Sequence, residues 1–338
     1  MSAAEPQLGT GGLRVLRAAG LLHARQYRRA IDAIRDEAYW ARWGRRALLA
    51  LGAGQLLAGI VFFFAYNWAD LPDMAKFATI ELALSAAAIG ALAIGIDRAV
   101  GQALLIAASV LTGVLLAVIG QVYQTGADAF ELFAAWGALM FPWVIVSRNA
   151  AHWLLWLAVA EIALALYGVQ VLTVVDDVAR GDVWVVVGVT LVCALAAREI
   201  AVRAGFDWLS SHWTRLVLLL AALATLFAPA AAHLLDIEDS GTESVSIAAF
   251  LLATGGAGVV YWRAKPDLAA LVVVIGFADL FFICAGYRLI DEAIGFDFEQ
   301  ALPALTSFGA MIAWAIAGTG SAGLAMRRLS GSIGKARA

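Results

Sequence analysis

Residues 100–119 read VGQALLIAASVLTGVLLAVI, twenty positions without one charged side chain. As a helix rising about 1.5 Å per residue, such a run covers the roughly 30 Å of hydrocarbon in a bilayer. A helix is also the form that satisfies every backbone N–H and C=O inside one segment, which lipid demands. Working outward, similar runs occupy 47–67, 75–96, 129–146, 150–171, 183–201, 214–234, 246–262, 268–287 and 303–325. The expectation is an all-α, polytopic transmembrane helix bundle of about ten spans. Asp97-Arg98-Ala99 and Ser147-Arg148-Asn149 leave room only for tight antiparallel hairpins.

The whole chain agrees with its decisive stretch. Of 338 residues, 63% are hydrophobic and 14% charged, far from the roughly 25% charged of a soluble domain. Mean hydropathy is +0.85. A net charge of −3, with basic residues concentrated only near the N-terminus, speaks against a nucleic-acid partner. Cys193 and Cys284 both sit within apolar runs and read as small hydrophobes. The early chain lacks the apolar core of a cleaved signal peptide, so the first span is expected to act as its own targeting signal.

Basic residues near span ends are held on the cytoplasmic side. With both termini cytoplasmic, 20 of the 23 lysines and arginines fall inside, nine of them in residues 1–46. Lys76, Arg180 and Arg288 are left outside, where the loops carry Asp176, Asp177, Asp182, Asp236, Glu238 and Asp239. Residues 1–45 form a cytoplasmic amphipathic helical segment ahead of a transmembrane domain over 46–338: Tyr27, Ile31 and Ile34 recur at helical spacing among Arg25, Arg28, Arg29 and Arg35. That pattern suits anionic lipid headgroups, with docking of a cytoplasmic partner as the other reading. A second amphipathic stretch, 289–302, is expected to lie along the outer interface.

Ionisable groups inside lipid need an explanation. Glu161 and Asp279 lie near the middles of the fifth and ninth spans. A mid-bilayer carboxylate costs at least about 2.5–3.5 kcal/mol, so these are protonatable groups that face the bundle interior, neutral, paired or hydrated. A polar constellation gathers at the expected outer ends of the first four spans: Asn67, Trp68, Asp70 and Asp73; Lys76 and Glu81; Gln121, Tyr123, Gln124 and Thr125; Glu131 and Trp136. Together they suggest an outward-facing substrate pocket, with Lys76 and Glu81 as a charge pair. Asn67, Gln121 and Gln124 equally suit the capping of helix ends.

Chemistry-bearing motifs are missing. The GTGSAG string at 318–323 matches a dinucleotide fingerprint only in letters, because it lies inside an apolar span with no preceding strand. His23, His152, His212 and His233 lack metal-ligand spacing, and no nucleophile–base set is recognisable. Nothing points to a cofactor, a metal or an enzyme.

The strings GIVFFFAYNW (59–68), Asp70-Leu-Pro72, Lys76, Thr112-Gly113 and GQVYQTG (120–126), followed by Phe133, Trp136 and Ser147-Arg-Asn149, resemble the bacterial inner-membrane proteins of domain-of-unknown-function family 2157. The resemblance covers about residues 10–160. It implies a multi-pass protein of the bacterial cytoplasmic membrane and no particular activity. The function expected from the polar groups is binding or transport of a small or lipidic molecule through the outward-facing pocket. A structural or regulatory subunit binding another membrane protein is the alternative.

Overall fold

The computed structural model describes residues 73–176, 178–235, 242–294 and 301–336, with side chains over 306–307 and 309–324 of that last stretch, and parts of residues 13–72. The chain forms two compact units, 1–72 with 331–338, and 73–330.

In the first unit, α1 (Ala24–Ile34) turns Tyr27, Ala30 and Ile31 inward and exposes Arg25, Arg28 and Arg29. The His23 N–H donates to Gln26 Oε1 at 3.0 Å, closing the helix start, and the Arg17 guanidinium lies 4.8 Å from the Tyr27 ring. Asn67 and nearly all of the expected first span fall outside the described residues.

The second unit is all helical among its described residues: α2 (Asp73–Ile94), α3 (Ala99–Tyr123), α4 (Ala129–Ser147), α5 (Ala150–Tyr167), α6 (Arg180–Arg203), α7 (His212–Leu234), α8 (Glu243–Val259), α9 (Leu268–Ile294) and, up to residue 330, α10 (Ala301–Ala336). Among the described residues, eight helical segments are long and apolar enough to cross a membrane, and they coincide with the second to ninth expected spans. The tenth falls in α10, whose apolar part is Gly309–Leu324. Consecutive helices pack as hairpins, α2 on α3, α4 on α5 and α6 on α7, with α7 also meeting α8 and α9. Helix α7 is therefore the most enclosed: Leu218, Leu219, Ala222, Leu223, Leu226 and Ala230 are at most 2% exposed.

Local chemistry explains where the helices stop. Gln124 adopts a left-handed conformation (φ 44°) and its N–H returns to the Gly120 carbonyl, ending α3. Asp128 and Glu131 then form a reciprocal capping box that opens α4. At the opposite end of that helix Arg148 is left-handed (φ 45°), and Asn149 Oδ1 accepts from the N–H groups of Ala151 (2.8 Å) and His152 (3.3 Å). Thus Ser147-Arg-Asn149 is one C-cap followed directly by one N-cap.

Two spans differ from the expectation. The fifth runs from Ala150 to Val175 through a wide π turn at Gly168–Leu172, where a side chain on Gly168 would collide with Val183 of α6. The ninth continues to Ile294, so 289–294 belongs to the spanning helix rather than to a separate interfacial one. No proline or glycine interrupts 287–294, and Ile290 is buried within it. Residues 295–300 of that stretch lie outside the described residues.

Candidate functional site

The outer constellation is partly assembled. The Phe77 and Tyr123 rings stack with centroids 5.9 Å apart, which brings the start of α2 to the end of α3. Lys76 Nζ donates to Asp73 Oδ1 at 3.1 Å. Glu81 is exposed and does not meet Lys76, because five residues of helix place the two about 140° apart around the axis. Gln121, Tyr123, Gln124 and Thr125 are exposed at the same end of the second unit. Trp68 belongs to the first unit and is half-buried in a turn.

Trp136 lies deeper. Its indole packs flat against Gly113, where a Cβ would collide, and its Nε1–H donates to the Ser109 carbonyl at 2.8 Å. Gly113, with Trp136, thus joins α3 to α4, whereas the Thr112 hydroxyl donates within α3 to the Ala108 carbonyl at 3.0 Å. Glu161 Oε2 accepts from Thr190 Oγ1 at 2.8 Å, linking α5 to α6 at mid-span. Asp279 Oδ2 lies 3.3 Å from Thr319 Oγ1, while Oδ1 is buried with no hydrogen-bond partner among the described residues, against the bare Cα of Gly318.

The densest chemistry lies at the other end of the bundle, which carries Arg98, Arg148, Arg198, Arg203, Arg215, Arg263 and Lys265. Glu199, 9% exposed near the end of α6, accepts from Arg198 Nη1 (2.6 Å), Arg215 Nε (2.8 Å) and Lys265 Nζ (2.6 Å). Arg215 also bonds Asp267, which caps α9 by accepting from Ala269 and Ala270 and lies 3.3 Å from His212 Nδ1. The buried Tyr261 ring lies 5.5 Å from the Arg215 guanidinium. Arg198 is 1% exposed; its Nη2 donates to the Ser211 carbonyl, and its Nε–H has no acceptor among the described residues. Three cations thus face two carboxylates, with one positive charge in excess.

This cluster was not foreseen as a unit. Arg198 reads as a snorkelling end, and Arg215 and Lys265 as ordinary positive-inside residues. The signal available was acidic: Glu199 within an apolar run, and Asp267 in a short basic loop. His152 is likewise more than a scattered histidine, because it is fully buried between Ser109 Oγ (2.9 Å) and Ser147 Oγ (3.0 Å).

Helix α6 separates two cavities at this end. One, of about 610 Å³, opens where α4 and α5 part from α6 and is lined by Phe141, Ile145, Arg148, Trp153, Ala197, Ala201 and Trp208, with Arg198 in its wall. The other, of about 310 Å³, runs between α6 and α8 over α7, with Glu199, Arg203 and Tyr261 at its basic end.

Residues 14–153 match the family model described as "Predicted membrane protein (DUF2157)". Comparison with curated proteins and with solved structures returns no significant match.

Proposed function

We propose that this multi-pass chain, whose residues 14–153 match the DUF2157 membrane-protein model, binds a lipidic molecule, taken laterally from the bilayer, in the cavity between α4, α5 and α6. The observation that carries this is the cavity's lining: apolar side chains along its length, Trp153 and Trp208 of the kind that favours the headgroup level, and Arg148 at its mouth. An amphiphile matches that order of surfaces. The reading places the protein in the bacterial cytoplasmic membrane with both termini and the basic end cytoplasmic, supported by the segregation of lysine and arginine. Residues 1–45 lie against anionic lipid as its cytoplasmic segment.

The test is retention of lipid by the purified chain, counted by native mass spectrometry. Ala201→Trp, which fills the cavity, is expected to lose the retained amphiphile, and equal retention by that variant overturns the proposal.

A second reading keeps an outward-facing site for a small molecule at the polar end of α2 and α3, with Lys76, Glu81, Gln121, Tyr123, Gln124 and Thr125 as its groups and Glu161 and Asp279 as deeper protonatable ones; of the wider set, Asn67 and Trp68 belong to the first unit and Trp136 is packed on Gly113. The Phe77–Tyr123 stack favours it by gathering part of this set at one end of a hairpin. After replacement of Cys193 and Cys284, cysteines introduced at Asn67 and Gln121 should react with a membrane-impermeant maleimide from outside the cell. Labelling of Gln121→Cys only after the membrane is opened removes this reading.

A further inference from the structure

The cavity on the α8 side of α6 does not end at mid-span. A second hollow of about 580 Å³ shares Val192, Leu252 and Ala253 with it and continues past Leu226 to Ser244 and Val245. Together they make one slot from Val189 to Arg203 on α6, about 21 Å at 1.5 Å per residue, most of the depth of a hydrocarbon core. Its walls are the outer faces of α6 and α8, where Ile200 and Leu252 are 64% and 76% exposed. Its floor is α7, where Leu219, Ala222, Leu223 and Leu226 are at most 1% exposed. Apolar side chains line the slot along this length and basic groups stand at one end, the order of surfaces that an anionic lipid presents. Gly256 widens it: a Cβ there would meet nothing within 4 Å.

One end of the slot is charged. Arg203 is exposed at its rim, and Lys265 Nζ, bonded to Glu199, is reachable beside it. Glu199 does not make this end acidic, since three cations share it. The opposite end offers only Ser244 among its lining polar groups. We infer that the slot between α6 and α8 holds an acyl chain of an anionic phospholipid whose phosphate rests on Arg203 and Lys265. This site lies on the opposite side of α6 from the cavity treated above, and the two stand or fall separately.

The full-length chain, delipidated in detergent, is titrated with phosphatidylglycerol, with phosphatidylcholine of the same chains, and with inorganic phosphate, and bound lipid is counted by native mass spectrometry. Phosphatidylglycerol should be held in preference to phosphatidylcholine. Arg203→Gln should weaken that preference roughly fivefold, the weight of one cation at an anionic membrane surface. Gly256→Leu should remove one bound lipid, and should remove one just the same in a chain that already carries Ala201→Trp, whose filled cavity lies on the far side of α6. If Gly256→Leu fails to assemble, Ala253→Leu fills the same slot more gently. Equal retention of both lipids, an unchanged lipid count in the slot-filling variants, or a response to phosphate alone overturns the inference. So does loss of a co-purifying polypeptide, in place of lipid, on filling the slot.

Discussion

Glu199 holds three buried or half-buried cations; Arg215 keeps Asp267 as a second partner, whereas Arg198 and Lys265 would be left without a counter-charge among the described residues. Removing one partner of a buried ion pair costs about 3–5 kcal/mol, chiefly because the remaining charge is stranded. Glu199→Gln should therefore lower the thermal midpoint of the purified protein sharply, whereas Lys265→Met, which removes the most exposed of the three cations, should cost no more than about 1 kcal/mol. A thermal unfolding series in detergent separates them, and equal effects would mean the three contacts do not converge on Glu199. At mid-span the stakes are smaller. Thr190→Val deletes the hydrogen bond to Glu161, and interhelical bonds of this kind average about 0.6 kcal/mol in membranes. A loss several times larger would show that Glu161 depends on Thr190 for more than packing.

Among the helices, small residues let the hairpins close. Gly113 admits the Trp136 indole, and the indole N–H satisfies a carbonyl of α3. Gly113→Val should force the ring away and cost about 1–3 kcal/mol as an overpacked contact, read as a lower midpoint with assembly retained. Asn149 serves both as the cap of α5 and as a donor to Gln102 on α3 at 2.8 Å. Asn149→Ala should cost about 0.5–2 kcal/mol, and Asn149→Asp, which keeps the cap but not the amide donor, should recover part of it. These residues also show what a sequence discloses. The apolar runs were readable because lipid forces each to be helical, and the eight described spans fall where they were expected. The Thr112-Gly113, GQVYQTG and Ser147-Arg-Asn149 strings carried a family resemblance, and the structure gives much of their content as caps and helix contacts. The ionic cluster stayed hidden because two whole spans separate Glu199 and Arg215 from Lys265 and Asp267, and only the folded bundle brings them within bonding distance.

For the molecule as a whole, the two ends of the bundle differ in character. One carries most of the second unit's arginines and the two cavities that flank α6, and the other carries the polar ends of α2 and α3. A reporter fused near residue 240 should report an extracytoplasmic location and one fused after Arg148 a cytoplasmic one; the reverse pair would invert the assignment of both ends. Deleting residues 1–45 should weaken association with anionic lipid headgroups without removing the chain from the membrane, checked by carbonate extraction.

Arg198 and Glu199 are neighbours in the chain yet turned toward different hollows, and they are bonded to each other. A negative headgroup drawing on Arg198 from one flank would loosen its hold on Glu199, freeing that carboxylate to grip Lys265 and Arg215 harder on the other. Occupancy of either hollow should then change affinity at its twin, and thermodynamic reciprocity requires the factor to be equal in both directions.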